Sequence, residues 1–244
     1  MKFSVLHLCT EELKPLRDLT IENKTSYCKS HNYNFIDYDS KDVLDFSKEE
    51  EFKERFSKAP EGQRRYLLPR ELVMGWAKVK LLIDLLERDD VSDWFFWIDA
   101  DAIFMNHHKR LDQFVSNDPN QFFIVGKDCN GINVGTFFLK NCERSLKFLK
   151  ELWQVGPQVG SWVEESEQGQ LSILGQSEKY MDGFYIVRNT EFNSYVHDCW
   201  KVENREGAEC QLHYKYENGD FVIHLPGIPN KAQIISKLLE LVIR

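Results

Sequence analysis

Asp99-Ala100-Asp101 places two carboxylates one residue apart, directly after the unbroken apolar run Trp94-Phe95-Phe96-Trp97-Ile98. Carboxylates at this spacing suit a hard divalent cation, which takes oxygen ligands from the protein and fills its other positions with water or substrate phosphate. The chemistry in view is bond breaking beside a diphosphate, where the leaving group gains negative charge that a cation neutralises. Asp-x-Asp alone is a weak signal, and in an ordinary turn Asp99 would simply cap the next segment. The preceding run changes its weight. Five large side chains in succession read as a strand buried on both faces, as inside an α/β sheet. Ligands gather at the carboxyl ends of such strands, so Asp99 and Asp101 stand at a ligand edge on a rigid element. That is the pattern of a nucleotide-sugar transferase.

Other residues join this pair by position. Lys78 lies on the helix that leads into the strand. A lysine there is ordinarily a surface residue with a buried stem, but this one is also placed to reach a phosphate oxygen. His7, Cys9 and Thr10 belong to the end of the first strand-like segment, where a nucleotide contact is expected. Gly131 and Gly135 bracket Asn133, which suggests close backbone approach to a neighbouring strand or to a ligand. Glu164, Glu165 and Glu167 open a helix, where acidic residues suit the dipole. In the alternative use, Glu167 accepts hydrogen bonds from sugar hydroxyls and Gln168 sets a neutral amide beside the reacting carbon. His224, read alone, is a core histidine at a strand end.

The elements that must hold these residues follow from hydrophobic pattern. Phe3 to Cys9 is β-prone, Thr10 with Glu11 and Glu12 looks like a helix start, and the helix runs to about Ser30. Tyr33 to Asp37 is the next strand, giving an opening βαβ unit. From Ser40 to Pro69 the composition turns to mixed charge, which reads as a charged insertion at 40–69, either a short solvated helix or a lid. Leu72, Trp76, Val79, Ile83 and Leu86 recur at helical spacing, with Asp84 and Arg88 as an i,i+4 pair. After the Asp pair come a short extended piece (Ala102 to Met105), a strand from Phe122 to Val125, and a polar loop from Lys127 to Gly135. Further on are a strand (Thr136 to Leu139), a helix (Glu143 to Trp153), strands at Phe184 to Val187 and Phe221 to His224, and a closing helix from Lys231.

Composition bounds the reading. At 244 residues, 42% hydrophobic and 13% aromatic, the chain suits one large α/β domain spanning 1–244. A formal charge of −8 without a dense basic cluster argues against nucleic acid as a partner; Arg64 and Arg65 are the nearest approach. No apolar run is long enough to span a bilayer. Six cysteines, without Cys-x-x-Cys spacing, make a zinc site improbable and fit buried thiols, with Cys199 and Cys210 able to pair in an oxidising compartment. The expected location is cytoplasmic or otherwise soluble, or the Golgi lumen for an excised catalytic domain.

Taken together, these segments resemble glycosyltransferase family 34, which holds fungal Golgi galactosyl- and mannosyltransferases and plant xyloglucan xylosyltransferases. The resemblance rests on Trp76-Ala77-Lys78, on Trp94 to Asn106, on Asn133-Val134-Gly135-Thr136-Phe137-Phe138-Leu139, on Glu167-Gln168, and on Gly219 to Gly227 with His224 inside it. It implies a GT-A fold, that is, a Rossmann-like, mostly parallel central sheet flanked by helices in a single domain. It also implies a Mn²⁺-dependent nucleotide-sugar donor and, for most relatives, retention of anomeric configuration. Asp99, Asp101 and His224 become metal ligands. Imidazole among oxygen ligands suits Mn²⁺ better than Mg²⁺. Ala100 and Gly227 fall within the donor-binding motifs, Asn133 and Gly135 approach the sugar, Gln168 the anomeric region, and Glu167 the hydroxyls or acceptor. Two features depart from the family. Ile228-Pro229-Asn230 intervenes before Lys231, the candidate diphosphate contact, and the membrane anchor of eukaryotic members is missing, as in a soluble bacterial, viral or excised domain.

The expected reaction moves a hexose or pentose from a nucleoside diphosphate (UDP favoured over GDP) to a hydroxyl of a glycan acceptor, with Lys78 or Lys231 against the diphosphate. Inversion would instead require Asp128 or Glu167 as base. A nucleotide-sugar hydrolase or nucleotidyltransferase is the enzymatic rival, without a Walker loop or Gly-x-Gly-x-x-Gly turn to support it. A carbohydrate-binding protein using Trp153, Trp162 and Trp200 is the non-enzymatic one, although these tryptophans are expected to divide between core and acceptor groove.

Overall fold

The computed structural model describes residues 1–39, 54, 57, 69–88, 92–128, 131–196 and 215–244. The chain opens with strand β1 (Phe3–Cys9), helix α1 (Lys14–His31) and strand β2 (Asn34–Asp39). A single 3₁₀ turn, Glu11–Leu13, precedes α1, so the helix starts later than the acidic pair suggests. Asn32, left-handed at φ 57°, ends α1 and turns the chain back beside β1 in parallel register, Ser4 opposite Asn34 through Cys9 opposite Asp39.

Helix α2 (Pro69–Leu86), β3 (Trp94–Ile98) and β4 (Ala102–Phe104) come next in the chain, then β5 (Phe123–Asp128) and β6 (Gly131–Lys140). Beyond them lie α3 (Glu143–Val155), α4 (Trp162–Glu165), α5 (Glu167–Gly175), β7 (Phe184–Arg188), β8 (Ser194–Tyr195), β9 (Val222–His224) and α6 (Lys231–Leu239). The main sheet has the order β2-β1-β3-β6-β5-β7. Only β6 runs against its neighbours in this sheet; β2, β1, β3, β5 and β7 share one direction. A second sheet, β4-β9-β8, stands at its edge.

The β3 run is buried on both faces, as its composition requires. Phe95 and Trp97 enter one apolar cluster with Trp76 and Val79 of α2 and Phe148 of α3, while Trp94, Phe96 and Ile98 enter another with Tyr27 of α1 and Phe104 of β4. Truncating a fully buried aromatic such as Trp97 to alanine should cost about 3–5 kcal/mol. The β3 backbone, and with it the Asp pair, is therefore pinned from both sides.

Three expectations are corrected. The polar loop from Lys127 to Gly135 is instead the end of β5 and the start of β6. The β5 ladder, with the Asp99 N–H on the Gly135 carbonyl, supplies the strand hydrogen bonds that Asn133 and two glycines disfavour locally. Asp84 pairs with Lys80, one turn back, and not with Arg88. The acidic stretch after Ser161 forms two short helices, because Ser166 stops the first and caps the second by accepting the Gly169 N–H. Trp153 packs edge-on against core Trp76, with ring centroids 6.3 Å apart, which puts it on the core side of the expected division between core and acceptor groove. The insertion at 40–69 lies outside the described residues apart from Glu54, Ser57 and Pro69, as do Cys129, Cys199, Cys210, Trp200 and the Trp162 side chain. Cys9, Cys28 and Cys142 carry free thiols. Among the described residues no helix is long and apolar enough to cross a membrane.

Candidate functional site

The Asp pair forms the corner between the two sheets. Asp99 N–H bonds the Gly135 carbonyl at 2.9 Å, extending the β3–β6 ladder, and Ala102 N–H closes a turn on the Asp99 carbonyl at 3.2 Å. Ala102 then enters the second sheet opposite His224 of β9, and Leu225 N–H bonds the Asp101 carbonyl at 3.1 Å. Strand register thus carries a histidine from far along the chain to the aspartates. One donor atom each from Asp99, Asp101 and His224 lies within 4.8 Å of the others.

A polar stripe on α1 supports this corner from below. Lys24 Nζ donates to the Asp99 carbonyl at 2.9 Å, Thr20 Oγ1 to the Ala100 carbonyl at 3.2 Å, and Asn23 brackets Phe104, giving to its C=O and taking from its N–H, both at 2.8 Å. Tyr27 stacks on Phe104 at a centroid distance of 3.9 Å. Burial pushes the Lys24 ammonium down to about 7, against the opposing pull of Asp101 and Asp99. The turn is held through its backbone carbonyls, so α1 does not occupy its carboxylates.

His224 is oriented with equal care. Its Nδ1 lies 3.0 Å from Asn193 Oδ1; Asn193 Nδ2 donates to Asn133 Oδ1 at 2.9 Å, and the same oxygen accepts the Gly135 N–H at 3.0 Å. This chain of donors assigns the ring proton to Nδ1. It leaves Nε2 as an acceptor 3.3 Å from Asp101 Oδ1. Two acceptor atoms at that distance are attractive only when a proton or a metal ion lies with them. With two carboxylates, an imidazole nitrogen and a hydrogen-bonded outer partner, the donor set fits a divalent cation. Gly135 makes the arrangement sterically feasible, since a Cβ there would lie 2.0 Å from His224 Cε1.

Two lysines flank the carboxylates. Lys231 Nζ sits 2.5 Å from Asp101 Oδ2. The intervening Ile228-Pro229-Asn230 runs from a turn at Gly227, φ 64°, to Asn230, left-handed at φ 58°, just before Lys231. Burial works to raise the Asp101 pKa, but the His224 ring, whenever Nε2 is protonated, and the Lys231 ammonium outweigh it and hold the carboxyl well below the usual carboxylate range. Lys78, which the sequence allows as a surface residue, is buried. Its Nζ donates to the Val134 carbonyl at 2.8 Å, lies 3.3 Å from Asp99 Oδ1 and sits over the Trp97 ring at 4.9 Å. Trp97 Nε1 gives Asp99 Oδ1 a further bond at 2.6 Å.

The remaining expected residues fall around this centre in different ways. Gln168 Oε1 accepts the Val134 N–H at 3.1 Å, which fixes its amide beside β6. Glu167 is half-buried, and a Cβ at Gly75 would lie 2.1 Å from its carboxylate. Burial raises its pKa more than Lys78 lowers it. Asp128 is buried and accepts the Tyr195 hydroxyl at 2.7 Å. At the end of β1, Cys9 donates to the Thr10 carbonyl, and Thr10 Oγ1 has no hydrogen-bond partner among the described residues. His7 is fully buried, with Nδ1 on Asp37 at 2.8 Å, so it shapes the strand end from beneath.

Sequence reasoning missed Thr20, Asn23, Lys24 and Asn193. The first three had a signal: with Tyr27 they recur at i, i+3, i+4 and i+7 on one face of α1, although three of them are not apolar. Asn193 had none, since no spacing rule ties it to His224.

An uncharacterized alpha-1,2-galactosyltransferase of Schizosaccharomyces pombe is 22% identical over 87% of this chain and 63% of its own length. A probable alpha-1,6-mannosyltransferase, MNN10, of Saccharomyces cerevisiae is 23% identical over 91% of this chain and 58% of its own. The chain therefore spans about three-fifths of these curated relatives. A solved glycosyltransferase involved in glycosylation of the major capsid of PBCV-1 superposes with a TM-score of 0.63 at 17% identity, covering 98% of this chain and 100% of that one. The galactosyltransferase LgtC, solved with donor and acceptor sugar analogs, does so at 0.54 and 11%, covering 98% and 96%. The fold is the GT-A fold of these enzymes. With residues 4–119 and 112–233 matching its pattern, the chain belongs to the galactosyl transferase GMA12/MNN10 family.

Proposed function

We propose that this chain is a divalent-cation-dependent glycosyltransferase, moving a hexose or pentose from a nucleoside-diphosphate sugar to a hydroxyl of a glycan acceptor. The observation that carries the reading is the convergence of Asp99, Asp101 and His224 within 4.8 Å at the junction of two sheets. Mn²⁺ is favoured over Mg²⁺ because one donor is an imidazole. UDP is favoured over GDP as the nucleotide, in keeping with the family resemblance. Asp99, Asp101 and His224 would hold the cation, which would supply charge neutralisation for a departing diphosphate.

The chain's own groups do the rest. Lys231 is placed to bind a diphosphate oxygen, while Lys78 orients Asp99 and fixes the Val134 carbonyl. Val134 N–H and the Gln168 side chain order the β6 edge, where the sugar is expected, with Asn133 and Gly135 at its face. Glu167 supplies acceptor oxygens for sugar or acceptor hydroxyls. The end of β1, with the unpartnered Thr10 hydroxyl beside Cys9, is the proposed nucleotide contact. Retention is favoured over inversion. Asp128, one candidate base, is already bonded to Tyr195, and a departing phosphate oxygen can take the acceptor proton on the same face.

Purified protein incubated with MnCl₂ and a panel of UDP- and GDP-sugars should slowly hydrolyse one donor even without acceptor, and Asp101→Ala should abolish the turnover. A wild-type protein that consumes none of them, and gains no thermal stability from UDP with MnCl₂, would refute the assignment.

A further inference from the structure

Lys231 stands on the wrong side of its helix for a cation. It is the first residue of α6, where the helix dipole presents positive charge and favours anions. No acidic residue lies in that first turn. The ammonium instead finds its anion across 130 residues of sequence, at Asp101 Oδ2, on a carboxylate that also faces His224 Nε2. Asp101 is nearly enclosed, with 13% of its side-chain surface exposed, so solvent screens the contact only weakly. The Lys231 side chain is more open, at 23%, and its stem has four rotatable bonds. One partner is fixed and the other is free to leave.

A divalent cation and this ammonium make opposing demands on one carboxylate. Both cannot remain there at full strength, because two positive centres would meet within a few ångströms in a poorly hydrated corner. A diphosphate resolves the conflict by giving the ammonium a second anion, at a helix N-terminus whose free N–H groups also suit phosphate.

We propose that Lys231 is a place-holder for the cation: it occupies Asp101 until metal and diphosphate arrive together, and then passes to the diphosphate. The proposal rests on reading Asp99, Asp101 and His224 as the metal ligands. Its consequence is thermodynamic coupling. The lysine weakens metal binding in the absence of nucleotide and strengthens nucleotide binding in the presence of metal, and by linkage each ligand promotes the other. The free enzyme thereby resists loading with metal alone.

The test is direct metal binding, read from the electron paramagnetic resonance signal of free Mn²⁺ as MnCl₂ is titrated with and without UDP. Wild type should bind MnCl₂ alone weakly and much more tightly with UDP. Lys231→Met should bind MnCl₂ alone about tenfold more tightly, within the usual range of coupling between sites, and should bind UDP less tightly in its presence. Lys231→Arg, which keeps the cation, should follow wild type. Unchanged affinity of Lys231→Met for MnCl₂ alone would overturn the proposal and leave Lys231 a phosphate contact only. A loosened affinity would overturn it too, making Lys231 a prop for Asp101. Both outcomes leave the metal centre standing. If no variant binds Mn²⁺ even with UDP, the metal centre itself fails and takes the proposal with it.

Discussion

Gly135→Ala tests whether close approach of a backbone sets the metal geometry. A Cβ at this position lies 2.0 Å from His224 Cε1, 2.5 Å from Nδ1 and 2.7 Å from Nε2, whereas ordinary contact begins near 3.4 Å. The backbone at Gly135 is not left-handed, so the whole cost is steric. Relief requires the ring to move by about 1.4 Å, the gap between 3.4 and 2.0. It has little room to do so, with Nδ1 held by Asn193 and β9 paired on both sides by β4 and β8. Metal–ligand distances tolerate only about 0.2 Å. A misplacement of ~1 Å at a reacting centre costs about a hundredfold, so Mn²⁺ affinity and kcat/KM should each fall at least that far, about 2.7 kcal/mol. Overpacking should cost a further ~1–3 kcal/mol of stability, or several degrees in Tm. A double-mutant cycle isolates the cause. In a His224→Ala background the ring is gone, and Gly135→Ala should cost almost nothing in Tm. A Gly135→Ala protein that binds Mn²⁺ within threefold of wild type, or that loses the same stability with and without the His224 ring, would refute the steric argument.

Two buried bases give opposite ends of a pH–stability curve. His7 is held down to about 4, first by burial and then by Lys24, and its Nε2 has no partner to receive a second proton's hydrogen bond. Its unfolded pKa is ~6.5, so between these values the unfolded chain carries the extra proton. Stability is complete above ~6.5 and falls as pH drops toward 4, by up to about 1.4 kcal/mol per pH unit. His7→Asn should flatten that acid limb in urea melts at stepped pH; an unchanged slope would show that His7 does not titrate as described. Lys24, held down to about 7 chiefly by burial, acts higher in the range. Unfolded lysine keeps its proton to ~10.4, so stability should rise from pH 7 toward 9 in wild type. Lys24→Met should lose that rise and, by leaving the Asp99 carbonyl with only the Ala102 N–H as donor, should also weaken Mn²⁺ binding. Equal Mn²⁺ affinity in Lys24→Met would show that the turn is held without it.

The features legible in the sequence were those that rest on local pattern. The opening strand–helix–strand unit, the doubly buried β3 and the placement of Asp99 and Asp101 at its carboxyl end all follow from apolar spacing within a dozen residues. Apolar spacing could not show α1's supporting stripe, because Thr20, Asn23 and Lys24 do their work through hydrogen bonds to backbone carbonyls of the Asp turn. Nor could it show that residues 131–135 form a strand, since glycine and asparagine disfavour one until β5 pairs with residues 131–133 and the Asp99 N–H bonds the Gly135 carbonyl. His224 was recognisable as a ligand only through family resemblance, and Asn193 not at all. The contacts that turn these residues into a site span 31 positions for His224–Asn193, 60 for Asn193–Asn133 and 130 for Lys231–Asp101. Each is decided by sheet register or by the aim of a helix terminus. A one-residue register slip of β9 would turn His224 to the opposite face, away from Asp101, while leaving every local motif in the sequence intact. The site is thus encoded in the pairing of β4 with β9, and the Asp-x-Asp motif alone specifies only half of it.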